Sequence, residues 1–214
     1  MLITYLIIGV TVAVSLYAMN NPQLVNQLLF VPAAIKERGE TYRFVSGGFI
    51  HADFMHLAFN MYTLYIFGGE AESSFQVMFG PTFGGVAYLL FYVALIILAG
   101  IPDYMKHQDN YGYRALGASG AVSGMIWPLT FFIPWTPIFW GIIPPIVWGV
   151  GYMLYSSYAD KRGGDNIGHS AHLWGSVFGF LLFAVLTFFL YNDLFTSFLY
   201  KLTTFDTSFT LYVS

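Results

Sequence analysis

Cysteine is absent from this chain, so neither disulfides nor thiolate chemistry enter it. Charge is almost as scarce: Asp, Glu, Lys and Arg make up 9% of 214 residues, against about 25% in a soluble domain. That deficit leaves too little polar surface to coat a water-soluble core. The net charge of −3 is small and dispersed and offers nucleic acid no patch to bind. No basic segment precedes the first apolar run and no small-x-small cleavage site follows it. Residues 2–19 are therefore expected to be a retained span and not a signal peptide. Internal repeats, a second domain and a His-Glu-x-x-His pattern are all missing.

What the chain has is apolar residue, 57% hydrophobic and 20% aromatic, in long runs without alternation. An integral membrane protein follows. A helix needs about 20 residues to cross about 30 Å of hydrocarbon. Six spans fit, at about 2–19, 53–70, 81–101, 118–135, 138–157 and 169–191, so the expected fold class is all-α and polytopic. The connections are short except for residues 20–52, which carry Lys36, Glu37, Arg38, Glu40 and Arg43. A loop of that size among short ones is expected to be structured, and the apolar spacing over 23–30 predicts a short interfacial helix. Residues 71–80, 102–117 and 158–168 read as the other main polar connections, and 192–214 as a C-terminal tail of no assigned role.

Polar groups at membrane depth are costly, so each asks for a function. Ser119 lies between Gly117 and Gly120 at the start of the fourth span. Serine in such a helix ordinarily back-bonds one turn earlier, but here the surroundings are unusual. Gly120 and Gly124 form a small face that lets another helix approach closely. Ala171, Gly175 and Gly179 form a matching stripe on the sixth span, bordered by His172. Docking the two faces would bring His172 to Ser119 for the hydrogen bond a serine–histidine pair requires. On the second span His56 and Asn60 are four residues apart and share a face. Both donate hydrogen bonds, as a developing oxyanion needs. Metal binding is the weaker reading, because the five-residue spacing of His51 and His56 suits two ligands on one helix poorly and asparagine is a poor zinc ligand.

Taken in order, Tyr42-Arg43, His51, His56, Asn60, Glu72, Gly117-x-Ser119-Gly120 and His172-x-x-Gly175-x-x-x-Gly179 resemble the rhomboid intramembrane serine proteases of the bacterial, six-span type, over about residues 41–180. The resemblance implies Ser119 as nucleophile and His172 as general base, with no third acid and no cofactor or metal. It implies His56, Asn60 and the Ser119 N–H as the oxyanion hole. Arg43 and Glu72 match positions that organise the first loop and the neighbouring helix ends, and His51 matches a structural histidine. Asp165 precedes His172 in a Gly-rich loop and is set aside as the third acid; His169, the other candidate base, reads as a loop residue. Tyr42 stands where relatives commonly have tryptophan, and Trp174 where small residues are usual. Ser123 stands where relatives often pack an aromatic ring against the histidine, a role open here to Trp127 or Trp174.

By resemblance the substrates are single-span membrane proteins with small residues near the cut, met within the lipid bilayer. Pro144-Pro145 is expected to kink the fifth span, which would bend aside to admit a substrate helix. The segment 161–168 would be a mobile cap over the site. The lysine and arginine count places loops 20–52, 102–117 and 158–168 in the cytoplasm. The resemblance implies the reverse, a bacterial inner membrane with the active site on the non-cytoplasmic face, and is followed here. The rival readings are a catalytically silent rhomboid-like protein that binds membrane clients, and a transporter or channel, which lacks its expected repeat.

Overall fold

The computed structural model describes residues 1–138, 141–164 and 167–209, and among these the chain is helical, with two isolated bridges and no strand. Helix α1 (Leu2–Met19) turns Thr4, Ile7, Thr11, Ser15 and Ala18 inward while Leu2, Leu6, Val10 and Tyr17 stay exposed. A polar, small face inside and an apolar face outside is the packing a bilayer demands, since lipid replaces water around the fold. Leu90, Leu181, Val185 and Phe189 extend the apolar exterior.

The first loop is structured, as expected from its length. It holds helices α2 (Pro22–Leu28), α3 (Pro32–Arg38) and α4 (Arg43–Ser46) and a 3-10 turn over Gly47–Phe49. Buried Arg43 organises it, donating to the carbonyls of Asn26 (3.0 Å) and Leu29 (2.7 Å) and pairing with Glu40. Tyr42 lies on the outside, its hydroxyl 3.2 Å from the Gln27 carbonyl.

Helix α5 (Phe54–Thr63) passes through a wider turn at Leu64–Gly68 into α6 (Gly69–His107). Residues 71–80 are not the polar connection the sequence implied. Ser73 and Ser74 bond to carbonyls four residues back, and Glu72 accepts from Thr4 N–H (2.8 Å) and Thr4 Oγ1 (2.7 Å). With its polar side chains satisfied the segment stays helical, and the chain reverses only at Gly80 (φ 76°, ψ 170°) before Pro81.

The fourth span is α7 (Ser119–Gly124) and α8 (Ile126–Phe132), stepped at Met125. At about 1.5 Å per residue it is about 21 Å long, well short of about 30 Å of hydrocarbon. Helix α9 (Pro145–Arg162) begins at the proline pair, so Pro144-Pro145 does not kink a helix over 138–157 but opens one. Proline disfavours helix in the residue before it and fits the first helical turn, which lacks N–H partners anyway. Helix α10 occupies His169–Leu190. The tail contributes a further helix: α11 (Asn192–Thr204) docks on α8, stacking Phe198 on Phe131 at 4.0 Å. Fully buried Lys201 donates to the carbonyls of Phe132 and Ser208, each at 2.8 Å. The end of the short α8 is thereby capped by a lysine, which suits the negative pole of a helix.

Candidate active site

The approach to Ser119 is stitched to the first loop. Phe30 and Ala115 exchange backbone hydrogen bonds at 3.0 Å, and Gly117 N–H donates to the Gly47 carbonyl at 2.9 Å. Gly117 takes φ +112°, and a methyl group there would lie 2.8 Å from Cε1 of His56. Only glycine allows both that turn and that contact. Just behind, Ala118 N–H donates to His51 Nε2 at 3.3 Å, while His51 Nδ1 meets Ser15 Oγ at 2.9 Å. Ser15 gives its own proton to the Phe49 carbonyl (2.9 Å), so His51 donates from Nδ1 and accepts at Nε2. Both nitrogens of His51 are engaged, which leaves neither to ligate a metal.

Helix α7 packs on α10 through glycine. A methyl group on Gly175 would lie 1.8 Å from the Gly120 carbonyl oxygen, one on Gly179 2.6 Å from Gly124 Cα, and one on Gly120 3.4 Å from the Ala171 carbonyl oxygen. Backbone therefore touches backbone along the two stripes. The result is a cavity of about 1130 Å³ whose lining includes Ser119, His172, His56 and Asn60, drawn from α7, α10 and α5. Asn60 is buried and spends one amide proton on the His56 carbonyl (2.9 Å). His56 Nδ1 faces Ala52 N–H at 3.5 Å, which leaves the ring proton on Nε2 beside Gly117. Glu72 sits elsewhere, at the far end of α1 from Ser15, where it ties α1 to α6.

The model of the rhomboid domain matches residues 38–189. This chain belongs to the rhomboid family. It is 27% identical over 146 residues to YdcA of Bacillus subtilis, a rhomboid-family protein, covering 67% of this chain and 66% of that one. It is 29% identical over 99 residues to the rhomboid protease GlpG of Haemophilus influenzae, covering 46% and 45%. It is 26% identical over 148 residues to the mitochondrial RHOMBOID-like protein 12 of Arabidopsis thaliana, covering 64% and 44%. The matched stretches thus span less than two thirds of these relatives' own lengths.

Within this rhomboid fold the ring against His172 comes from neither tryptophan. Trp127 is buried with its Nε1 on Ser176 (3.0 Å), and Trp174 packs on Phe178. Tyr152 of α9 takes the place, stacked on His172 at 6.0 Å between centroids and 27° between planes. His169 is not a loop residue either. It opens α10, buried, with its ring edge-on to His172 at 5.8 Å, because His172 N–H bonding to the Gly168 carbonyl starts the helix there. A further carboxylate has no signal in the sequence: buried Asp103 accepts from Ser170 (2.6 Å) and Tyr113 (2.8 Å), tying the start of α10 to α6. An acid at the end of an apolar run reads as a surface residue until its two donors are seen. Asp165 lies outside the described residues, as does part of the segment 161–168.

Burial, and after it the nearby His56, pushes the His51 pKa down to about 4. An unfolded histidine titrates near about 6.5. Between these values the unfolded chain takes a proton that the fold refuses, so stability is full above about pH 6.5 and drains as pH falls toward 4. Thermal unfolding followed from pH 7.5 to 4.5 is expected to show a smaller drop in His51→Gln than in the parent. Parallel curves would assign the acid sensitivity to other groups.

Proposed function

We propose that this chain is a serine endopeptidase that hydrolyses peptide bonds in the membrane-spanning segments of other proteins. The observation that carries the reading is the single cavity shared by Ser119, His172, His56 and Asn60 at a glycine-packed helix pair. Neutral His172 accepts the Ser119 proton as Oγ bonds to the scissile carbonyl carbon. The carbonyl electron pair moves onto oxygen. Collapse of this tetrahedral species expels the amine, which takes the proton from His172 and leaves an ester on Ser119. Water, deprotonated by His172, cleaves the ester and restores the serine.

The oxyanion is met by three donors: the His56 Nε2–H, the second amide proton of Asn60, and the Ser119 N–H, which lies in a first helical turn and has no partner within the helix. Losing one such donor costs about 10²–10³ in rate. His56→Ala and Asn60→Ala are each expected to fall by that factor in kcat with little change in KM. A loss confined to KM would assign them to substrate binding instead.

Two features support access from the bilayer. Ser119, at the start of the short α7–α8 rod, lines a cavity roomy enough for water. Of the eighteen residues of α9, the buried ones are Pro145, Gly149 and Ser156, so this helix is lightly seated and suited to move for an entering substrate helix. In the same reading the site faces the non-cytoplasmic side of a bacterial cell membrane. Arg43 pairs with Glu40 inside the fold, while Lys36 and Arg38 pair at the surface with Asp109 and Glu40, so each of these charges has a local partner. The deciding experiment is reconstitution into liposomes with a single-span substrate carrying small residues at one membrane boundary. Mass spectrometry is expected to find a cut within or beside that span. A substrate retained but uncut would favour the client-binding reading.

A further inference from the structure

Two contacts of one side chain join α9 to both halves of the site. The Tyr152 ring stacks on His172, and its hydroxyl lies 3.4 Å from Ser123 Oγ. Ser123 donates at 2.6 Å to the carbonyl of Ser119. A hydroxyl has one proton, so the Tyr152 hydroxyl is the donor to Ser123, and a chain of hydrogen bonds runs from α9 to the backbone of Ser119. Ser123 is also what makes the room: a ring at that position would fill the space the Tyr152 hydroxyl reaches. Helix α9 meets α8 closely at Gly149, where a methyl group would lie 2.9 Å from the Trp127 ring, three residues before Tyr152.

We propose that Tyr152 is a positioning residue through which the seating of α9 sets the orientation of His172. The proposal rests on the serine–histidine reading above. When α9 sits on Trp127, the ring holds the imidazole at the angle for proton transfer. When α9 swings out, the base loses its platform, so the site is competent only after α9 has closed again. Entry and chemistry are thereby kept apart in time by one side chain.

The absence of cysteine and the small size of the reagent make a fluorophosphonate the apt probe, because it reaches Ser119 without needing a substrate helix to part α9. Its labelling rate is to be measured for the full chain in detergent, for Tyr152→Phe, Tyr152→Ala and the double variant Tyr152→Ala/Ser123→Tyr. Kcat and KM for a single-span substrate and the melting temperature accompany each. A misplacement of about 1 Å costs up to about 10² in rate. Tyr152→Ala is therefore expected to label about 10- to 10²-fold more slowly, with the loss in kcat and not in KM. Tyr152→Phe keeps the ring and stays within a few-fold of the parent. The double variant, with its ring delivered from α7, regains most of the lost rate even if its melting temperature stays low. Labelling of Tyr152→Ala at the parent rate overturns the proposal, and so does a Tyr152→Phe variant as slow as Tyr152→Ala. A parent that does not label overturns the serine–histidine reading itself, and the positioning role with it.

Discussion

Ser119→Ala is expected to lower peptide-bond cleavage by on the order of 10⁶-fold, and His172→Ala by as much. In the proposed mechanism the two act as one unit. Without Oγ there is nothing to acylate, and without the imidazole the hydroxyl keeps its proton at neutral pH. The double variant should therefore be no slower than either single one, the non-additivity that marks a shared step. The proposed oxyanion donors are untouched in all three, so a residual rate over uncatalysed hydrolysis is expected. Single-turnover cleavage of a membrane-span substrate, together with fluorophosphonate labelling, measures this directly. Equal labelling of parent, Ser119→Ala and His172→Ala would discard the pair, and a double variant far slower than the singles would show that they act separately.

Gly175→Ala is expected to cost at least about 10² in cleavage rate although residue 175 touches no substrate. Its methyl group would lie 1.8 Å from the Gly120 carbonyl oxygen, 2.6 Å from the Gly120 carbonyl carbon and 3.1 Å from Gly120 Cα. These are backbone atoms with no rotamer to yield, so α10 must move away by about 1.5 Å to restore ordinary contact distance. His172 lies one turn from the collision on the same helix and moves with it. Gly9→Ala is the matched control, since nothing lies within 4 Å of a methyl group there. It should leave activity unchanged and, by helix preference, stability level or slightly raised. If Gly175→Ala cleaves at the parental rate, the backbone contact between α7 and α10 is not what sets the distance between serine and histidine.

Much of the architecture was legible because a bilayer imposes length and polarity on each segment. The apolar runs at 2–19 and 169–191 correspond to helices Leu2–Met19 and His169–Leu190, since neither run contains a proline. The small-residue stripes were legible for the same reason: in lipid, helices associate through close packing, so Gly120, Gly124, Gly175 and Gly179 stand out. Boundaries were harder where the deciding partner is distant. Glu72 looks like loop until Thr4, far away in sequence, is seen to satisfy it. Lys201 looks like a surface charge until Phe132 and Ser208 supply carbonyls for it. Tyr152 is one aromatic among many in an apolar stretch, and no local pattern sets it apart.

By itself the sequence determined the all-α membrane class, the order of the helices and the residue types gathered for chemistry, because these follow from hydropathy, helical period and spacing along one chain. Only the tertiary structure decided that α9 begins at Pro145, that α11 caps the short α8, that His51 holds the backbone before Ser119, and that the ring on His172 comes from α9. Each of those depends on a contact between segments far apart in the chain. Such contacts are selected by the geometry of packing, which no local pattern encodes.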